Sequence, residues 1–439
     1  MKNTDLVVNK GKWRLHATRT EKFKVSYLSF RFIMPKDAYR TPLTKLMLSV
    51  MMRGSEHYPT VTDINRRLDE LYDTTLSFTS SSLGDKCVFS VSCKMLNNRF
   101  LLDGDDTDVL LESVKIVEDI LCRPLLCEDG LFYSDIVESE KKIAVDSIRS
   151  IVNDQRAYAL KKCLENMFEG TPYGISSSGD EQTVSAFTAK ELTENIGYFR
   201  ENALVECLYI GAENPERVAE VIGDRFDCFA LSSVDEKYDD RAFVSTRNAV
   251  IRKSEPMDVS QSRIAMGYTC GTVLKDNEYF AMLLANEIFG GSSTSKLFMN
   301  VREKKSLCYY CYSGYRSDRG TLRVECGVAP RNTDAAIDEI SHQLCQLKAG
   351  NISDSEIDTA KKTLISGLVQ NADSASAIVA FTLRRILAGI KQTPDDCIDA
   401  IRKVTRSEII DAANKINLDT VFVLEGNDNA AYDGGDDYE

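Results

Sequence analysis

Apolar and polar residues follow two different periodicities along this chain. Residues 23–27 and 88–91 alternate between apolar and polar, as strands with one buried face do. Residues 43–52 instead place apolar side chains three or four positions apart, as a packed helix does. Strands that alternate in this way form mostly antiparallel sheets, with helices packed on one face. The pattern therefore predicts an α+β fold.

The same order of elements occurs twice. In each copy an apolar helix ends at a glycine, a second helix follows, and two strands are joined by a turn that contains glycine. The offset is 236 residues from Gly54 to Gly290 (290 minus 54) and again from Gly84 to Gly320 (320 minus 84). Matching landmarks at matching offsets indicate an internal duplication, and hence two tandem domains of similar topology.

The repeat continues with long helices, predicted over residues 136–168 and 356–390, the first interrupted near Asn153. Thr188 and Thr405 then each begin a Thr-x-x-Glu segment. Such a segment is a capping box, in which the Thr and Glu side chains bind backbone amides at a helix start. Each predicted helix is followed by an apolar strand, which completes the copy.

The duplication also sets the predicted domain limits. The segment between the copies is rich in charge and serine, and the C-terminus is rich in aspartate and glycine. We predict an N-terminal domain at 1–226, a linker at 227–248, a C-terminal domain at 249–426, and a disordered acidic tail at 427–439.

Composition narrows the classes of function. The formal net charge is −13, from 54 Lys and Arg against 67 Asp and Glu. A surface of this charge repels phosphate backbones and anionic lipid, so we expect neither nucleic acid nor membrane as a partner. The 13 cysteines are scattered and odd in number, no apolar run reaches the length of a membrane span, and no signal-peptide pattern is seen. We expect reduced thiols and a cytoplasmic location.

Two motifs carry a family resemblance. Arg53-Gly54-Ser55 ends the first apolar helix, and its counterpart in the second copy is followed by Arg302 and Tyr309. With the duplication, they make residues 43–426 resemble the insulinase/pitrilysin family of zinc metallopeptidases, and in particular the bacterial two-subunit members, in which each subunit holds two such halves. The resemblance implies a first helix with a His-x-x-Glu-His motif, whose two imidazoles bind zinc together with a distal Glu.

This chain departs from that motif at every position. Registered on Gly54, the motif falls on Lys45, Leu48 and Ser49, and the distal carboxylate falls on Asp146. An ammonium, an isobutyl group and a hydroxyl cannot replace two imidazoles and a general base, and one shortened carboxylate cannot retain Zn²⁺ alone. We therefore expect no catalytic residue and no cofactor in this chain, with zinc only in a partner subunit.

The second half keeps residues that the resemblance assigns to substrate binding. Arg302 and Tyr309 match an Arg and Tyr pair that helps hold the peptide in catalytic members, although a helix-end arginine and a strand aromatic would look the same in sequence. Gly290 and Gly291 are similar to a glycine-rich loop that senses substrate in noncatalytic subunits. We favour a simpler interpretation of the two glycines, in which they end one helix before the next begins.

Two further motifs are interpreted as structural. Arg53 to His57 looks like a shifted zinc motif, but Gly54 and Ser55 end the helix, so Glu56 and His57 are expected on the surface. Cys308 and Cys311 have the spacing of a redox or zinc half-site. On a regular strand, residues three apart point to opposite faces, so we interpret the two thiols as packing residues.

The leading hypothesis is a catalytically inactive subunit that pairs with an active, zinc-bearing homologue and helps bind peptide. The alternative is a non-enzymatic homodimeric scaffold or peptide-binding protein. A third hypothesis, an active peptidase with a relocated metal site, requires ligands that the first helix does not offer.

Overall fold

The computed structural model describes residues 4–9, 13–223, 225–229 and 242–427. The strands are β1 (Thr4–Asn9), β2 (Trp13–Arg19), β3 (Val25–Pro35), β4 (Thr75–Leu83), β5 (Lys86–Leu96), β6 (Leu204–Gly211), β7 (Ile251–Pro256), β8 (Ser262–Thr269), β9 (Cys308–Arg316), β10 (Thr321–Val328) and β11 (Asn417–Glu425). The helices are α1 (Arg40–Met51), α2 (Val61–Glu70), α3 (Val109–Cys122), α4 (Ser134–Ser150), α5 (Gln155–Met167), α6 (Glu181–Ala186), α7 (Ala189–Asn202), α8 (Pro215–Ile222), α9 (Tyr279–Asn286), α10 (Thr333–Lys348), α11 (Asp354–Asn371), α12 (Ala375–Ala388), α13 (Pro394–Lys403) and α14 (Arg406–Asn414), with π-helical segments at Glu287–Gly291 and Leu297–Lys304.

Both sheets use the same strand order. The first runs β1-β2-β6-β3-β5-β4 and the second β7-β11-β8-β10-β9, so the second sheet reproduces the order of the last five strands of the first. Neighbouring strands are antiparallel except β2 with β6 and β7 with β11, which are parallel at equivalent positions. The predicted pair of similar α+β domains with mostly antiparallel sheets is confirmed.

The core of the first unit explains why β3 is a strand. Leu28, Phe30 and Phe32 alternate along β3 and are all buried on one face. Phe30 packs against Phe226 with ring centroids 4.4 Å apart, and Phe32 against Phe199 of α7 at 4.9 Å. Each buried aromatic side chain contributes about 1.5–3 kcal/mol through loss of apolar surface from water. This face therefore fixes the helices of the unit against the sheet.

The second unit buries both faces of its sheet. Met266 of β8 belongs to the main core, together with α9, α10 and α14. Its neighbour Ala265 points to the opposite face, where it packs with Phe422 of β11 and with Ala159 and Cys163 of α5. The main helical layer lies on one face as predicted, and α5 adds a second, smaller layer on the other.

The two compact units are discontinuous in sequence. One comprises the described residues up to 149, 175–229 and 372–387, and the other comprises 150–174, 242–371 and 388–427. Helix α5, from the first copy of the repeat, thus belongs to the second unit, and most of α12, from the second copy, belongs to the first. The predicted limits at 226 and 248 stay predictions. Residues 230–241 of the predicted linker and 428–439 of the predicted tail lie outside the described residues.

Helix breaks occur where the chain passes between units. The predicted interruption near Asn153 is confirmed, since Asp154 caps α5 by accepting the amide of Ala157 at 2.9 Å. The single helix predicted over 356–390 is wrong. Residues 372–374 separate α11 from α12, and the hydroxyl of Ser374 accepts the amide of Ala377 at 3.4 Å, which starts a new helix.

Both predicted capping boxes are present. The hydroxyl of Thr188 accepts the Glu191 amide at 3.2 Å, and the Glu191 carboxylate accepts the Thr188 amide at 2.9 Å. Thr405 and Glu408 make the same pair of bonds at the start of α14.

Across the described residues, no single helix is both long and apolar enough to cross a membrane. Helices α11 and α12 reach that length and apolar character only when they are counted together across the bend between them.

Candidate functional site

The predicted degenerate metal site is a small pocket between α1 and α4. Lys45 and Ser49 lie one turn apart on α1 and both line it. From α4, Glu140 and Ser147 line the opposite wall, seven positions apart and therefore on one helix face. The pocket has a volume of about 160 Å³, and apolar side chains such as Ile143 complete its walls.

Lys45 is the dominant polar group of the pocket. Its ammonium donates a hydrogen bond of 2.7 Å to the hydroxyl of Ser178, and among the described residues it has no carboxylate partner. Burial lowers the pKa of Lys45, because the charged form loses water that no counter-ion replaces. Sequence reasoning missed Ser178, which reaches the pocket from a loop more than 130 residues away and carries no motif.

The donor set does not fit zinc. Leu48 is buried in the core with 1% of its surface exposed, so it neither faces the pocket nor carries a donor. Lys45 offers an ammonium, which has no lone pair for a metal, and the hydroxyls of Ser49 and Ser147 are weak ligands. Within the described residues, no group of three or more His, Cys, Asp and Glu side chains is placed to hold a metal ion.

Asp146, predicted to hold the distal carboxylate position, is not among the residues that line this pocket. Asp146 is exposed and lies outside the pocket lining, whereas Ser147, one residue later, faces Lys45 and Ser49. A shift of one residue turns a helical side chain by about 100°. Registering on Glu140 in the sequence could not separate these two neighbours. The role of Asp146 as the counterpart of the distal metal ligand stays a prediction.

Glu140 supplies the carboxylate of this pocket, and it is already neutralised. It is 6% exposed and forms an ion pair with Arg53, which follows the end of α1. The same pair borders a second hollow of about 320 Å³ on the other side, lined also by Thr60 and Asp135. Arg53 therefore holds the Glu140 charge away from Lys45.

The shifted motif at Glu56 and His57 is a surface feature, as predicted. Both residues are exposed and follow the end of α1. His57 binds Asp119 of α3 twice, through Nδ1 at 2.7 Å and through its amide at 3.1 Å. Burial opposes ionisation of Asp119, but hydrogen bonds to its carboxylate, among them those from His57 and Arg123, outweigh burial and lower its pKa. The pair therefore fastens the segment after α1 to α3.

Arg302 and Tyr309 lie near the corner where a π-helical segment passes into β9. Arg302 stacks on Phe298, with its guanidinium carbon 4.7 Å from the ring centroid, and lies 3.6 Å from the Glu303 carboxylate. Tyr309 is 48% exposed. The π-helix is a rare conformation that occurs often at functional sites. Their predicted role in peptide binding stays a prediction.

Gly290 and Gly291 end the first π-helical segment. A Cβ on Gly290 would lie 2.6 Å from the backbone nitrogen of Ser313 and 2.7 Å from Leu297. A Cβ on Gly291 would instead meet the carboxylate of Glu287, which is buried, and burial raises the pKa of this group. Gly290 is thus required by close packing against β9, in agreement with the interpretation that the pair ends a helix.

The prediction that Cys308 and Cys311 point to opposite faces is wrong. Cys308 pairs with Val328 of β10 and Tyr310 with Gly327, so Tyr309 is an extra, bulged residue. A bulge adds one position to the strand, which places residues three apart on the same face. Cys308 is hydrogen-bonded to both Cys311 and Cys326, and the last of these was not predicted to belong to any cluster.

Comparison with known proteins shows which proteins this chain is similar to. The family model described as "Peptidase M16 inactive domain" matches residues 186–364. The "Probable inactive metalloprotease YmfF" of Bacillus subtilis is 28% identical over 418 residues, which cover 95% of this chain and 96% of that protein. The chain is a homologue of M16 peptidase-like proteins over nearly its whole length. M16 is the insulinase-like family, so the resemblance seen in the sequence is confirmed.

Solved structures share the fold of this chain. A conserved protein from Enterococcus faecalis V583 matches with a TM-score of 0.87 and 27% identity, over 97% of this chain and 100% of that one. A peptidase M16 inactive domain from Pseudomonas fluorescens shares the fold, with a TM-score of 0.78 and 15% identity over 97% and 98% of the two chains. With its unsuitable donor set, this chain is an inactive peptidase-like homologue.

Gly290 and Gly291 give a testable contrast. Gly290→Ala should lower the free energy of unfolding by about 1–3 kcal/mol, because its methyl group meets backbone. Gly291→Ala should cost less than about 1 kcal/mol, because a carboxylate can move aside. Urea titration of both variants measures the difference. Equal losses would contradict the packing role of Gly290.

The Asp119 carboxylate should make stability depend on pH. Its pKa is lowered in the folded state, so its contribution is present above the unfolded value of about 4 and is lost as pH falls further. Asp119→Asn should destabilise the protein by about 1–3 kcal/mol at pH 7 and flatten the acid limb of the stability curve. Thermal unfolding between pH 2 and 7 measures this. The exposed control Asp106→Asn should leave both unchanged, and a wild-type acid limb in Asp119→Asn would refute the assignment.

Proposed function

We propose that this protein is the noncatalytic subunit of a two-subunit M16 peptidase. It pairs with an active, zinc-bearing homologue, completes a peptide-processing chamber and helps bind the substrate. One observation carries the proposal: the α1 pocket offers no set of metal donors, while both duplicated sheets are present and Arg302 and Tyr309 are exposed on the second. The names of the B. subtilis relative and of the matching family model both describe an inactive protein, which supports a noncatalytic role.

Loss of the metal makes a partner necessary for any peptidase role. Hydrolysis by this family needs zinc to activate water and a base to take its proton. The α1 pocket offers a protonated amine and hydroxyls, and Glu140 is committed to Arg53. Zinc is therefore proposed to lie in the partner, and this chain supplies binding groups alone.

Arg302 and Tyr309 are proposed to bind the peptide. The guanidinium of Arg302 is 40% exposed, and its stacking on Phe298 limits the conformations it must give up on binding. It can donate to a peptide carbonyl or a terminal carboxylate, and the exposed Tyr309 adds a hydroxyl. Neither group is held in a buried ion pair, so the hydrogen-bond donors of both can reach a peptide.

Co-expression with a zinc-bearing M16 homologue from the same organism tests the pairing. We expect a one-to-one complex on size exclusion, and chelator-sensitive peptidase activity above that of the homologue alone. Arg302→Ala in the complex should raise KM about 10-fold, as loss of a charged hydrogen bond does, while Lys304→Ala, an exposed cation on the same segment, should not. Absence of both complex and stimulation would eliminate the proposal.

A second candidate is a peptide-binding protein that acts without a catalytic partner, alone or as a homodimer. The observation that favours it is the half-buried Lys45 ammonium, which lacks a carboxylate partner among the described residues and lines a pocket with three serines, Ser49, Ser147 and Ser178. An ammonium desolvated in this way gains most from an anionic ligand. The carboxylate at the end of a peptide has that chemistry.

Calorimetric titration with matched peptides tests this candidate. A peptide with a free C-terminal carboxylate should bind at least 10-fold more tightly than its C-terminal amide, and Lys45→Met should abolish the difference. Lys142→Met, which removes an exposed cation from α4, serves as the control. Equal affinity of the two peptides for the wild-type chain would exclude Lys45 as a carboxylate site, and size exclusion of the chain alone would reveal a homodimer.

A further inference from the structure

Three thiols meet on one face of the second sheet. Cys311 of β9 lies directly opposite Cys326 of β10, and the bulge at Tyr309 brings Cys308 to the same face beside them. Cys308 is hydrogen-bonded to both of the other thiols, and those two are hydrogen-bonded to each other. None of the chain's 13 cysteines, all of which lie within the described residues, forms a disulfide here. The cluster is therefore reduced and closely spaced.

The three thiols differ in access to solvent. Cys311 is 3% exposed and Cys326 is fully buried, whereas Cys308 is partly exposed at the start of β9. A small reagent in solution therefore meets Cys308 first. The buried thiols are then positioned to react with whatever forms there.

The surroundings of Cys308 also favour its thiolate, which is the reactive form of cysteine. Hydrogen bonds from Cys311 and Cys326 lower its pKa to about 4, against the opposing effect of burial, and the positive charge of Arg302 acts in the same direction. The chain contains a contrasting pair. Cys122 is hydrogen-bonded to Cys228, and that bond together with burial raises the pKa of Cys122.

We propose that Cys308 is a modification site for hydrogen peroxide, at which oxidation ends in a disulfide between Cys308 and one of the two buried thiols. The Cys308 thiolate attacks one peroxide oxygen, the O–O bond breaks, and hydroxide leaves and takes up a proton to become water. The sulfur is then a sulfenic acid. The sulfur of Cys311 or Cys326 attacks it, the S–O bond breaks, and a second water leaves. Two thiols are oxidised to a disulfide and one peroxide is reduced to two waters.

Peptide mapping of the full chain tests the site. Trypsin yields residues 306–316, which carry Cys308 and Cys311, and residues 324–331, which carry Cys326. After peroxide treatment and alkylation of the remaining thiols, we expect either a cross-link between these peptides or the loss of two hydrogens within the first. Cys308→Ser should abolish both products, and the exposed control Cys345→Ser should change neither. Oxidation of the Cys122–Cys228 pair at an equal rate would overturn the assignment of a specific site.

Two further measurements keep the proposal independent of how Cys308→Ser folds. With Cys311 and Cys326 both changed to Ser, peroxide should leave a sulfenic acid at Cys308 that dimedone traps. In the wild-type chain, the rate of Cys308 alkylation should change less than about threefold from pH 6 to 8, whereas that of N-acetylcysteine rises about 100-fold. No dimedone adduct, or a rate at Cys308 that follows N-acetylcysteine, would refute a peroxide-reactive thiolate.

Discussion

A divalent cation stays in a protein only where deprotonated donor groups surround it. Between α1 and α4, the pocket offers no such donor that is free to bind a metal. A protonated amine at Lys45 repels any metal that approaches Ser49 and Ser147. Glu140, the carboxylate in the wall, is neutralised by Arg53. The electrostatics of this single contact support the proposed noncatalytic role, and no alternative cluster of metal ligands is found among the described residues.

The lack of zinc ligands in the α1 pocket does not disturb the fold. Both sheets keep one strand order, with the parallel pairs at equivalent places, and the capping boxes at Thr188 and Thr405 begin equivalent helices. These features depend on apolar burial and backbone hydrogen bonds, which a change at Lys45 or Ser49 leaves alone. The core and the pocket therefore use different residues of α1, with Leu48 in the core and its polar neighbours in the pocket.

Sequence prediction succeeded for features that depend on residues close together in the chain. Caps, turns at glycine and strand alternation are fixed by residues within a few positions of one another, and the duplicated fold could be derived from them. What failed depended on geometry between distant segments. The bulge at Tyr309 exists only in the register of β9 against β10. Which residues of α4 line the pocket is set by the packing of α4 against α1. Ser178 and Cys326 carry no motif, so only the fold could bring them to Lys45 and Cys308.

The exchange of helices between the two copies of the repeat has a consequence for how the chain can be divided. A fragment that ends near residue 229 would hold α5 without β8 and β11, the strands whose apolar face it covers, and would lack α12 from its own unit. The complementary fragment would leave Ala265 and Phe422 open to water. The layer that covers this face of β8 and β11 therefore combines both halves of the coding sequence, and the second half cannot supply it alone.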